Sequence, residues 1–189
     1  MNKIFVKLIS ASFVLLSINS HALYTELGLS YTYKKTTFDA NNNIESQMTT
    51  GSLSFYLWEK VALETSYSEG LAVRREKDSI NPIRTSTQSM KIYGADLILG
   101  FADRRAVFQP FIKGGAAYVI KKLTIQDDGQ PAFSIDPKSA ISPSYGVGLK
   151  FKLSDEFSLN VGADVWQTPL EDGTTTSDIA TRAGLSFVF

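Results

Sequence analysis

Along most of this chain, hydrophobic and polar residues alternate one by one. Near the C-terminus Ile179, Thr181, Ala183, Leu185, Phe187 and Phe189 occupy alternate positions, with Arg182, Gly184 and Ser186 between them. A period of two with one apolar face predicts a β-strand. The same reading divides the chain after residue 22 into eight segments: Leu23–Phe38, Ser46–Leu57, Val61–Arg74, Thr87–Phe101, Val107–Gln126, Ile141–Leu153, Phe157–Leu170 and Ile179–Phe189.

The connections fall into two kinds that alternate strictly. Trp58-Glu59-Lys60, Ala102 to Arg105 and Ser154-Asp155-Glu156 are tight; Asp39 to Glu45, Glu76 to Ser86, Asp127 to Lys138 and Glu171 to Asp178 are longer and polar. Antiparallel strands joined in this way predict an all-β, eight-stranded, up-and-down barrel with its short turns at one end and its long loops at the other.

Each segment has one apolar and one polar face. The first sets Leu27, Leu29, Tyr31 and Tyr33 against Glu26, Gly28, Ser30 and Lys34, and the sixth sets Tyr145, Val147, Leu149 and Phe151 against Ser144, Gly146, Gly148 and Lys150. Two closed barrels use such a pattern: a soluble one with the apolar face inward around a ligand, and a transmembrane one with it outward in lipid. Three features select lipid. Gly28, Gly94, Gly100, Gly115, Gly146, Gly148, Gly162 and Gly184 crowd the polar face, as a narrow interior requires. Aromatics (Tyr24, Tyr56, Trp58, Phe101, Phe108, Phe151, Phe157, Phe187, Phe189) gather near strand ends, as in an interfacial girdle. The polar faces also carry both signs of charge.

The N-terminus supplies an address. Lys3 and Lys7 precede an apolar run from Leu8 to Ile18 and the small-x-small sequence Ser20-His21-Ala22. The run is shorter than the roughly 20 residues that cross hydrocarbon as a helix. It predicts an export signal over residues 1–22, cleaved after Ala22, and a barrel domain over 23–189. The full chain has 19 basic and 19 acidic residues, so loss of Lys3 and Lys7 leaves a net charge of −2, which offers nothing to nucleic acid. Cysteine is absent and the one histidine, His21, leaves with the signal.

On these residues the chain resembles the small eight-stranded outer-membrane barrels of the OmpA/OmpX type over its mature length. Leu185, Phe187 and Phe189, with Ala183, look like that family's assembly signal, and Gln109-Pro110-Phe111-Ile112-Lys113-Gly114-Gly115-Ala116-Ala117-Tyr118 is similar to its Pro-aromatic, Gly-rich strand. The resemblance implies a monomer in a bacterial outer membrane, inserted by the barrel-assembly machinery among lipid and lipopolysaccharide, with a structural or surface-interaction role. The chain stops at the barrel, so no peptidoglycan-binding domain is expected.

Candidate chemistry is confined to the lumen. Glu26, Glu64, Asp96 and Asp164 are expected there with Lys113, Lys150 and Arg182, while Lys34 and Lys152 lie nearer the ends. Unpaired charges in so narrow a space are costly, so these groups should form a plug that sets strand register; the alternative is a gate in which Arg182 exchanges partners and opens a narrow pore. Some barrels of this size are lipid A deacylases or palmitoyltransferases that use a His with a Ser and an acid. Without His or Cys the mature chain lacks the usual base and thiol nucleophile, which leaves only the carboxylate pairs Asp96/Asp164 and Glu26/Glu64. No catalytic, cofactor or metal site is expected: Asp127-Asp128-Gly129 and Glu171-Asp172-Gly173 begin like calcium loops but read first as turns. Arg74, Arg75, Lys77 and Arg84 form a basic outer loop suited to lipopolysaccharide phosphates.

Overall fold

The computed structural model describes residues 24–38, 42–77, 84–135, 139–169 and 175–189. The expected export signal, and the Glu171-Asp172-Gly173 turn, lie outside them. The strands are β1 (Tyr24–Thr37), β2 (Asn43–Trp58), β3 (Val61–Glu76), β4 (Arg84–Gly100), β5 (Phe108–Asp127), β6 (Phe133–Ile135), β7 (Ala140–Lys152), β8 (Phe157–Pro169) and β9 (Thr175–Val188). Every pairing is antiparallel, in the order β4-β3-β2-β1-β9-β8-β7-β5, and β4 pairs with β5 to close the ring. Closure gives the ladder groups of the membrane-spanning part partners all round, as lipid demands.

The register defines the cylinder. Following paired residues from Tyr118 through Tyr93, Tyr67, Gly51, Leu29, Leu185, Leu159 and Phe151 returns to β5 at Phe108, a shear of 10 residues (118 − 108). Eight strands with this stagger tilt by roughly 35–45° and enclose a space that side chains can fill.

Two features depart from the alternation. β2, β4 and β9 begin at Asn43, Arg84 and Thr175, before the apolar alternation does, and β3 runs on to Glu76. Apart from Ile44, these outer turns of strand are polar on both faces, so backbone pairing holds them without any pattern that would announce a strand. A short additional strand, β6, lies within the expected Asp127–Lys138 loop. It pairs with Leu123–Ile125 on the edge of β5, where β7, which reaches only Val119, leaves it bare.

The apolar face points outward. Leu29, Val147 and Ile141 are exposed at 63%, 59% and 77%, whereas Glu26, Glu64 and Asp96 are at 5% or less. Once the stagger is taken into account, Tyr31, Tyr67, Tyr93, Tyr118 and Tyr145 ring the barrel toward the long-loop end, and Phe101, Phe108, Phe157, Phe187 and Phe189 ring the short-turn end. About nine residues of each strand lie between the rings, the length that crosses the hydrocarbon at this tilt. Tyr24 and Tyr56 do not join the girdle, contrary to the sequence expectation. Strand parity turns both into the lumen, where their rings stack at 4.1 Å and 16°.

Phe189 closes the seam at the base. Its N–H donates to Thr25 O at 3.0 Å and its carbonyl accepts from Thr25 N at 3.2 Å.

Candidate functional site: the packed lumen

The lumen is filled in layers. At the short-turn end the Lys150 ammonium lies 2.5 Å from Glu26 Oε2 and donates to the Tyr56 hydroxyl at 2.8 Å. Arg104, from the turn between β4 and β5, covers the Tyr24 ring at 4.1 Å. This layer joins β1, β2 and β7.

The central layer has Lys113 as its hub. Its ammonium is 2.9 Å from Glu64, 3.3 Å from Asp96 and 3.2 Å from Asp164, and Arg182 Nε approaches Asp164 from the other side at 3.3 Å. Ser144 donates to Asp96 at 2.5 Å, and Ser54 to Glu64 at 3.3 Å. Five strands, β3, β4, β5, β8 and β9, meet through these charges. Gly146 makes room for the hub: a Cβ there would lie 2.8 Å from Lys113 Cε. All seven lumen charges named from the sequence are therefore brought together, in two groups.

Above the charges the lumen turns apolar. Ile92, Ala117, Val119, Trp166 and Ala180 are buried together, with Met48 and Met90 packed against them. Alternation hides this layer, because Trp166, Ile92 and Val119 stand on the nominally polar face. A run such as Ala117-Tyr118-Val119-Ile120, apolar on both faces, is the signal for it in the sequence. The expectation of a polar interior holds for the lower and central layers and fails here, since a shell of hydrocarbon excludes water as well as charges do. A further pair, Lys121 with Asp178 at 2.6 Å, lies beyond it.

The other candidates are occupied locally. Lys34 and Lys152 stand toward opposite ends of the barrel, and Lys152 pairs with Asp155 in the turn at 2.6 Å. Asp127 binds Arg84 through two hydrogen bonds, at 2.7 and 3.2 Å, and Gly129 at φ 75° completes a turn in which Gln130 N donates to Asp127 O. Arg74 pairs with Glu76, which leaves Arg75 as the more open member of the basic loop. Asp96 and Asp164 share Lys113, and Glu26 and Glu64 belong to different layers, so neither carboxylate pair forms a two-acid cleft.

The family model for the outer membrane protein beta-barrel domain matches residues 8–187. The chain belongs to this family. No curated protein matches the sequence. Among solved structures it is similar to the N-terminal β-barrel domain of Pseudomonas aeruginosa OprF, at 17% identity over 87% of this chain and 97% of that one, with a TM-score of 0.53. Neisserial surface protein A (NspA) gives 11% identity over 88% and 97%, with a TM-score of 0.58. Ail, the attachment invasion locus protein of Yersinia pestis, gives 16% over 88% and 97%, with a TM-score of 0.50. At such identities the likeness is one of fold. Family membership makes this an outer-membrane barrel, its long loops outside and its short turns in the periplasm.

Proposed function

We propose that the protein is a monomeric, non-conducting barrel of the bacterial outer membrane whose role is structural or one of surface interaction, exported by a signal cleaved after Ala22. The observation that carries the reading is the Lys113 hub, capped by the Ile92–Trp166 layer. Ions would have to cross both a tightly paired charge cluster and an apolar plate. The outer sheet of β2–β5, which rises above the tyrosine ring and bears Arg75 and Lys122, is the surface offered to lipopolysaccharide and to other cells. Two of the similar structures are named for surface or attachment, and one structure of Ail is a complex with a heparin analogue, which supports a surface role.

We further infer that the protein is not an enzyme. The mature chain lacks His and Cys, and every lumen carboxylate named above is engaged by a cation. Planar-bilayer recording tests the main reading: the wild type should give no unitary conductance, and steady channels that Arg182→Ala abolishes would replace the plug with a gate. Lipid A of unchanged mass on overexpression is expected of a non-enzyme. An intact mass beginning at Leu23 would establish cleavage.

A further inference from the structure

The barrel wall is incomplete on one side. β1 and β9 pair only from Glu26–Val188 to Tyr31–Ala183, although β1 continues to Thr37 and β9 begins at Thr175. Both remain paired on their other edges over that stretch, β1 with β2 to Asn43 and β9 with β8 to Pro169. The last link across the seam is a side-chain bond, from the Thr32 hydroxyl to the Thr181 carbonyl. By the stagger of the register the opening begins at the level of the tyrosine ring, where the outer leaflet meets water. Exposed ladder groups are tolerated there if they border a cavity.

A cavity of about 800 Å³ lies behind the opening. Phe38, Ile44, Met48, Met90, Trp166 and Ala180 supply its apolar lining, and its volume is in the range of small-molecule sites. The buried Ile92, Ala117 and Val119 pack beneath it, so it is a cup and not a passage. Among the described residues the lining carries one cationic side chain, Lys34. Trp166 is 5% exposed and forms part of the wall of the cup, with its indole N–H closed off inside that wall. Lys34 stands on the seam edge of β1 and lines the cup with no ion pair, whereas neighbouring Lys35 and Lys121 have Glu45 and Asp178.

We propose that this cup binds a fatty acid, a single-chain anionic amphiphile, which enters sideways through the β1–β9 seam from the outer leaflet. The Lys34 ammonium supplies the charge that a carboxylate takes, while the alkyl chain lies over Met48, Met90, Phe38 and Ile44, beside the Trp166 ring. The site is separate from the charged layers, and its test does not depend on whether the lumen conducts.

The protein has two tryptophans, so Trp58→Phe leaves Trp166 as the sole reporter. This full-length variant, folded in phosphatidylcholine vesicles, is titrated with terminally brominated dodecanoate. The expected result is saturable quenching of Trp166, displaced by unbrominated dodecanoate and by decanoate at roughly fifteenfold higher concentration, at about fourfold per methylene. Lys34→Gln should weaken binding several-fold, and Ala72→Phe should abolish it by filling the cup; heat-modifiable gel mobility shows that each variant is folded. Vesicles of brominated phosphatidylcholine separate the sources. Quenching by the phospholipid that free fatty acid does not relieve keeps the acyl site but makes bilayer lipid its occupant. Absence of quenching by either, or quenching unchanged in Lys34→Gln and in folded Ala72→Phe, overturns the proposal.

Discussion

Lys113 of β5 reaches Glu64 of β3 at 2.9 Å although β4 lies between them in the sheet. The curvature of a narrow barrel makes this possible: inward side chains from next-but-one strands converge on the axis, which they could not do in a flat sheet. The same ammonium touches Asp96 and Asp164, so one side chain ties together carboxylates from three other strands.

Removal of that cation should therefore cost more than one pair. Lys113→Met leaves the buried Glu64 and Asp96 without their cation, while Asp164 keeps Arg182, and breaking a buried pair on one side costs about 3–5 kcal/mol. Urea unfolding of the barrel in lipid vesicles should show a markedly lower midpoint, with a smaller loss for Glu64→Gln. An unchanged midpoint in Lys113→Met would remove the network from any account of stability.

The six residue pairs that join β1 to β9 are the shortest ladder of the ring, and Gly184 lies among them. A Cβ there would fall 2.6 Å from Ser30 Cα, a backbone atom with nowhere to go. Gly184→Ala should destabilise the barrel by about 1–3 kcal/mol through overpacking. Gly51→Ala, which meets nothing within 4 Å, is the control and should be neutral or slightly stabilising. The temperature at which the compact gel band is lost gives the comparison.

Outside the membrane, the outer ends of β4 and β5 are tied by Arg84 and Asp127. Hydrogen bonds from Arg84, and then its charge, hold the Asp127 carboxyl below its ordinary range. A depressed folded pKa adds stability above the unfolded value, about 3.9, and that stability is lost as pH falls through the folded value. Hydrogen exchange at Thr85 and Gln126 should accelerate below about pH 4 in the wild type. Asp127→Asn should show the faster exchange already at neutral pH, with no further acid-dependent step; an acid step that survives the substitution would assign it to another group.

Phe189 combines a backbone pair to Thr25 with a ring that stacks on Phe187 at 6.1 Å and 24°. Phe189→Ala keeps the former and loses the latter. The expected outcome is slower insertion and less protein in the outer-membrane fraction, with heat modification retained by the molecules that do insert. Wild-type yield would count against an assembly role for Leu185, Phe187 and Phe189.

Much of the barrel is legible along the chain because lipid and lumen impose opposite chemistries on successive residues. Leu27 and Glu26, or Val147 and Gly146, differ so sharply that parity alone assigns their faces. The lumen charges are legible for the same reason, since an isolated Asp164 between Ala163 and Val165 has no other place to go. Where neighbours are alike, parity has nothing to report: Thr85-Ser86 and Thr175-Thr176-Ser177 read as loop, yet form strand.

The sequence by itself determined the strand count of the ring, the side of each strand that meets lipid, and the charges of the lower and central lumen, but not the Lys121–Asp178 pair above them. These follow from local alternation, which is a property of adjacent residues. Which cation meets which carboxylate, the apolar plate of Ile92, Val119 and Trp166, and the seam that opens above Tyr31 and Ala183 were decided only by closure. They depend on shear, and shear is the sum of registers between strands far apart in the chain, to which no single segment holds the key.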